Sequence, residues 1–265
     1  MVDVLIFIAL VFSGIVTGIA SSMLGIGGGL IFIPVLTFLL PYLGVSQPEL
    51  IHIVVATSLL AGSFSSAGAF VQHYKMNNVV FGKAIPLLTG SLISAFIIPR
   101  FVITIDAAVL KITIITILLL VAIKILFEKN GEAVLKKKLN DKFLFPFGLI
   151  VGGISALTGL GGGIIFVPIL TFFFALDIKK AIGTATLVVA ITMISSTVAY
   201  GLLNSGVENI EGLIGFIHVY AGLSLGAGAL LGNFTGAGFF KKHSSKTIKK
   251  IFAVFIIIIV LKTFI

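Results

Sequence analysis

The sequence predicts an all-α integral membrane protein: an inverted repeat of two five-segment helical bundles, with broken or re-entrant half-helices at glycine-rich motifs. Three observations carry this. Of 265 residues, 58% are hydrophobic and only 10% are charged, against roughly 25% charged in soluble domains. Ten apolar segments run along the chain, continuous rather than alternating, which favours helices over a β-barrel. The stretch "SSMLGIGGGLIFIPVLTF", Ser21 to Phe38, returns as "SALTGLGGGIIFVPILTF", Ser155 to Phe172.

The first five segments lie near 4–23, 30–44, 50–72, 79–99 and 107–127, and the second five near 143–158, 164–176, 181–203, 212–232 and 247–265. The N-terminal "MVDVLIFIALVFSG" lacks a basic leader, so the first segment is expected to stay as a helix. Runs such as "ITIDAAVLKITIITILLLVAIKILF" hold the ~20 residues that cross ~30 Å of hydrocarbon. The segments after the glycines, "LIFIPVLTFLL" and "IIFVPILTFFF", are shorter. At 1.5 Å per residue they reach ~17 Å, about half a membrane. Between the two sets lies the hydrophilic "EKNGEAVLKKKLNDK". The division is therefore a first transmembrane repeat, 1–127, a Lys-rich linker, 128–142, and a second repeat, 143–265.

The halves align beyond the glycines. Gly14, Gly18, Pro34 and Thr37 match Gly148, Gly152, Pro168 and Thr171 at one offset, 134. "VATSL", Val55 to Leu59, resembles "GTATL", Gly183 to Leu187, and Ser65 and Ser66 match Ser195 and Ser196. Lys111 and Lys124 match Lys249 and Lys262. This is an internal duplication. Five segments per copy is an odd number, so the copies enter the membrane from opposite sides; a re-entrant pair leaves three crossings and the same parity. With the linker in the cytoplasm, fifteen of the eighteen Lys and Arg fall inside, and only Arg100, Lys111 and Lys262 fall outside. Both termini are then external.

A glycine run before a half-helix exposes backbone N–H groups at the positive end of its dipole, an anion site that needs no charged side chain. Two such sites, formed by Gly25, Gly27, Gly28 and Gly29 and by Gly159, Gly161, Gly162 and Gly163, would make a cradle for a small anion near the midplane. Ser21, Ser22, Ser155 and Thr158 are candidate hydroxyl donors. Pro34 and Pro168, past the first turn, each free a carbonyl and favour a kink. Thr57, Ser58, Thr184 and Thr186 either line a polar path beside the cradle or bond to backbone, as hydroxyls in membrane helices often do. The competing reading is close helix packing; it applies to the four-residue spacings Gly14/Gly18, Gly148/Gly152 and Gly228/Gly232/Gly236.

All nine acids fall at segment ends or in loops, which disfavours a proton relay built on carboxylates. His52 and His218, near outer helix ends, are the remaining titrating candidates, with backbone-bonded interfacial histidines as the plainer reading. Gln72 and His73 sit at an inner mouth. Cysteine is absent, so no thiolate metal site is expected, nor any metal or other cofactor. The formal charge of +9 comes from lysines in short loops between apolar runs, the pattern of cytoplasmic loops of a protein in a lipid bilayer rather than of a nucleic-acid binder. No cluster of acid, base and metal ligands suggests an enzyme. The sequence is compatible with a homo-oligomer.

At "GIASSMLGIGGGLIFIPVL" and "GGISALTGLGGGIIFVPIL", with "VATSL" and "GTATL", the chain resembles the sulfite exporter TauE/SafE family over nearly its full length. The resemblance implies a permease of the cytoplasmic membrane for small sulfur-containing anions such as sulfite, sulfonates or sulfoacetate, exported or imported. It places the family motif on Gly25, Gly27, Gly28, Gly29 and Pro34, and on Gly159, Gly161, Gly162, Gly163 and Pro168. The expected mechanism is alternating access around that site; a channel-like anion permease is the alternative.

Overall fold

The computed structural model describes residues 2–24, 27–127, 139–207 and 210–239. The tenth sequence segment, Gly25 and most of the linker lie outside them. Helix α1, Val2–Leu24, breaks at the first glycine run, and α2, Gly29–Leu39, restarts beyond it. Then come α3, Leu50–Lys75, and α4, Phe81–Ile97, which continues past Pro99 as the single turn α5, Pro99–Val102. Helix α6, Ala107–Phe127, closes the first half. After the linker, α7, Leu144–Thr158, breaks at the second glycine run, and α8, Gly163–Pro168, runs into a π-helical turn, Ile169–Phe173. Helices α9, Ile178–Gly201, and α10, Val219–Phe239, follow.

Among the described residues, five apolar stretches are long enough to cross a membrane: Val4–Ser21, Leu50–Lys75, Phe81–Val102, Asp141–Thr158 and Ile178–Gly201. Burial separates them. The α3 span is 83% buried and the α9 span 61%, while the other three are 39% buried, so α3 and α9 form the centre. The outer helices turn large apolar side chains outward, Leu5, Ile8 and Phe12 on α1 and Val109, Ile112 and Leu120 on α6. Such a surface is solvated by lipid.

Helix α1 packs along α10, and α4 along α7. Without a side chain at the contact, backbones approach closely, as small residues permit in membranes. A methyl group on Gly14 would lie 2.3 Å from Leu225 O, and one on Gly18 would lie 2.0 Å from Ala229 O. On the other pair, a methyl on Gly148 would lie 2.2 Å from Leu87 O, and one on Gly152 would lie 2.6 Å from Ser91 Cα. Moving α1 by 134 residues onto α7, and α4 by 138 onto α10, carries one set of contacts onto the other.

Two matched hydrogen-bond pairs align α3 with α9. Thr57 Oγ1 accepts from the His218 N–H, and Thr184 Oγ1 accepts from the Val80 N–H, both at 3.0 Å. The His73 carbonyl accepts from the Asn78 N–H at 2.9 Å, and the Tyr200 carbonyl from the Phe216 N–H at 3.3 Å. These equate residues 127 apart. The sequence match of Ser65 and Ser66 with Ser195 and Ser196 is not the register these bonds give: by them Thr57 corresponds to Thr184, and Ser66 to Met193. The string match failed because similar small residues recur along both helices, whereas the bonds fix each residue to the start of a neighbouring element.

The all-α expectation needs one amendment. The segment expected as a helix from 212 begins instead with a two-stranded antiparallel ribbon, β1, Leu213–Ile214, and β2, Ile217–His218. Gly215, at φ 57°, supplies the left-handed residue at the first central position of the two-residue turn. The helix α10 starts only at Val219.

Candidate functional site

From Gly27 and from Gly161 onward, the two glycine runs build the same local structure. Gly28 and Gly162 are the N-caps of α2 and α8, both left-handed at φ 84° and 71°. Gly27 and Gly161 are also left-handed, at φ 73° and 85°, a conformation that costs an L-residue roughly 1–2 kcal/mol. The carbonyl of Gly28 takes the N–H groups of Ile31 and Phe32, and that of Gly162 takes those of Ile165 and Phe166. The N–H groups of Gly29 and Leu30, and of Gly163 and Ile164, therefore belong to the first turn, for which a helix supplies no acceptor. Residues 27–34 and 159–163 are buried throughout.

These two loops meet. A methyl on Gly29 would lie 2.4 Å from Gly159 O and 2.6 Å from Leu160 Cα. Both loops also face one group of side chains where α3 crosses α9. A methyl on Gly27 would meet Val189 Cγ1 at 2.9 Å, Ser66 Oγ at 3.2 Å and Met193 Sδ at 3.5 Å. From the other side, a methyl on Gly161 would meet Met193 Cε at 2.9 Å, its Sδ at 3.0 Å and Val189 Cγ1 at 3.3 Å. Ser66 Oγ donates to Met193 Sδ at 3.7 Å.

The predicted hydroxyls fall into two groups. Ser21 Oγ and Ser155 Oγ, at equivalent places before the two glycine runs, are fully buried and have no hydrogen-bond partner among the described residues. The others are engaged. Thr158 Oγ1 donates to Ile154 O at 2.7 Å and accepts from the Leu160 N–H at 3.3 Å. Ser58 Oγ lies 2.8 Å from Val55 O and 3.0 Å from Gly159 O, so it bridges its own helix to the second glycine loop. Thr186 Oγ1 donates to Gly183 O at 2.8 Å, and Thr57 and Thr184 accept the ribbon-end and α4-start N–H groups described above. Gly25 and the Ser22 side chain lie outside the described residues. Pro34 sits inside α2, which continues to Leu39, whereas the helix after Pro168 widens into its π turn.

Among the described residues the carboxylates lie at helix ends and in loops, whereas His52 and His218 are buried. Glu49 and Asp177 occupy the N-cap positions of α3 and α9 without a side-chain capping bond, Asp106 precedes α6, and Asp141 pairs with Lys83. His52 Nε2 donates to Ile105 O at 3.1 Å, and His218 Nδ1 accepts from the Ala221 N–H at 3.3 Å. Gln72 bonds to the backbone of Asn233. His218 and Glu211 also line a cavity of about 590 Å³ with Phe7, Tyr42 and Tyr220.

Sequence reasoning missed Met193, Val189, Tyr200 and Asn233. Tyr200, fully buried, donates to Ala156 O at 2.9 Å beside the second glycine run. Asn233 Nδ2 donates to Ser65 O at 2.7 Å, while Asn233 Oδ1 and Ser65 Oγ have no partner among the described residues. Met193 and Val189 read as ordinary apolar helix residues; only the repeat register of 127 would have placed Met193 opposite Ser66.

The model of the sulfite exporter TauE/SafE family matches residues 10–263, a range that holds both glycine runs. The chain belongs to the sulfite exporter TauE/SafE family. Relatives along its whole length bear the description probable membrane transporter protein. One from Haemophilus influenzae is 28% identical, covering 95% of both chains. Another from Methanocaldococcus jannaschii is 29% identical over 91% of this chain and 88% of its own, and one from Bacillus subtilis is 24% identical over 96% and 95%. No solved structure matches the chain significantly. In this TauE/SafE protein, the described parts of the glycine runs, 27–29 and 159–163, are one of the places where the two halves meet.

Proposed function

We propose that this chain is a secondary transporter of small sulfur-containing anions, such as sulfite or short sulfonates, working by alternating access of two inverted repeats around the paired glycine loops. In this reading residues 1–127 and 143–265 are the repeats, the Lys-rich linker is cytoplasmic and both termini are external. The single observation that carries it is the meeting of the two glycine loops in one buried place, where Gly29 abuts Gly159 and Leu160 and where Gly27 and Gly161, one residue before the N-caps of α2 and α8, both face Met193. Oriented N–H groups at helix starts attract anions without a counter-charge. The unpartnered hydroxyls of Ser21 and Ser155 supply a further donor from each half. The engaged hydroxyls of Thr57, Ser58, Thr158, Thr184 and Thr186 hold the loops and their neighbours in place. With no lysine or arginine at the cradle among the described residues, selectivity rests on size and hydrogen-bond geometry, and affinity is modest.

Close packing of backbone and the Met193 thioether between the loops favours an occluding transporter over a continuously open channel. The test is flux of labelled sulfite and methanesulfonate in proteoliposomes for wild type, Gly28→Leu and Gly162→Leu. Wild-type protein transports with saturable counterflow, and each variant loses most of it. Full transport by both variants rejects the cradle.

A further inference from the structure

We infer that Met193 is a movable plug that occupies the anion position between the two glycine loops and sets the largest substrate the site admits. The inference rests on the proposed transport function for its substrate, and on geometry alone for the plug. The thioether is fully buried, and atoms of both loops face it: methyl groups on Gly27 and Gly161 would each lie within 3.5 Å of its sulfur. Its Cε methyl is housed by a third glycine, Gly62 of α3, where an added methyl would lie 2.1 Å from that carbon. A glycine on each of three separate segments therefore leaves room for one side chain.

The repeat explains why the plug is single. Ser66 and Met193 occupy equivalent positions, 127 apart, and face each other across the junction of the halves at 3.7 Å. The small member of the pair, Ser66, leaves the space that the large one fills. Methionine fits such a gap because it is unbranched, has three rotatable side-chain bonds and adapts its shape to irregular spaces. An anion entering between Gly27 and Gly161 displaces the thioether from its seat against Ser66 and Gly62. The room released is that of one thioether chain, enough for the charged head of a sulfite or a short sulfonate. Truncating Met193 extends this room and shifts preference toward longer sulfonates.

Two measurements test this, one of which needs no transported substrate. The first is the ratio of kcat/KM for propanesulfonate to that for sulfite in proteoliposomes. M193A raises this ratio about tenfold, the scale of one or two methylene groups in an apolar pocket. M193L, of similar volume, keeps the wild-type ratio whatever its turnover. An active M193A with an unchanged ratio overturns the inference. The second exploits the absence of cysteine from the chain. In S66C, reaction with methyl methanethiosulfonate is slow, and adding M193A speeds it about tenfold, whereas adding M193L leaves it slow. Equal rates in S66C with and without M193A overturn the plug. If wild type moves no sulfur anion, the function proposal fails while the labelling rates still decide the plug. Should M193A not fold, M193V shortens the same reach and is read in the same two assays.

Discussion

Gly29→Ala is the sharpest perturbation of the place where the two halves meet. Gly29 has ordinary helical backbone geometry, so an added methyl brings steric overlap without backbone strain. Its three nearest atoms would be Gly159 O at 2.4 Å, Leu160 Cα at 2.6 Å and Leu160 C at 2.8 Å, all of them backbone. Ordinary contact begins at 3.4 Å, so the loops must separate by about 1.0 Å, the difference between 3.4 and 2.4. Overpacking costs about 1–3 kcal/mol, and rigid backbone on the far side puts this site in the upper half of that range. At about 2–4 °C per kcal/mol for a chain of this size, a loss of about 2–3 kcal/mol lowers Tm by roughly 4–12 °C. Gly82→Ala is the matched control, since a methyl there meets nothing within 4 Å and lies within α4; alanine in a helix gains about 0.5–1 kcal/mol over glycine. Calorimetry of detergent-purified protein at one fixed scan rate compares the two. A Gly29→Ala protein as stable as wild type would refute the loop contact.

Two further outcomes follow from the repeated contacts. Thr57→Val leaves the His218 N–H without its acceptor and Thr184→Val does the same to Val80. Each costs about 1–3 kcal/mol, and hydrogen exchange accelerates at His218 in the first variant and at Val80 in the second. Gly18→Ala and Gly152→Ala each destabilise, and Gly18→Ala more, because Ala229 O would lie 2.0 Å away against 2.6 Å for the nearest atoms at Gly152. Calorimetric Tm values in that order support the equivalent packing of α1 on α10 and α7 on α4; a neutral Gly18→Ala contradicts it.

Much of the architecture was legible because it depends on coarse properties. Apolar continuity located the helices, and the glycine runs marked both breaks, since glycine takes the left-handed conformation found at Gly27, Gly28, Gly161 and Gly162 without the steric cost other residues bear. The ribbon at Leu213–His218 escaped because "LIGFIH" is as apolar as a helix start, and Gly212 and Gly215 alone hint at the turn. The register of α3 on α9 escaped for a different reason. Five-residue likeness between "VATSL" and "GTATL" is weaker information than a hydrogen bond from His218 or Val80 to one particular threonine. Met193 had no local signal, because its role comes from three glycines on other segments that make room for it.

Serine and threonine roles divided on the same principle. Sequence placed six hydroxyl residues on α3, α9 and the end of α7 beside the glycine loops, but could not tell which had spent their donor or acceptor capacity. In the folded chain Thr57, Ser58, Thr158, Thr184 and Thr186 are bonded to backbone, while Ser155 and its counterpart Ser21 have no partner among the described residues. Burial without a partner costs a hydroxyl about 1–3 kcal/mol, a cost that Ser21 and Ser155 share with Ser65 among the described residues.

The most direct test of the paired-loop site is the position of a bound anion. Selenite, a heavier analogue of sulfite, gives an anomalous diffraction signal at the selenium edge in crystals of the full-length protein. The account predicts a peak between Gly27 and Gly161, within hydrogen-bond reach of first-turn N–H groups from both α2 and α8, with the Met193 thioether displaced. A peak confined to the cavity beside Glu211 and His218, with Met193 still seated between the loops, would contradict it.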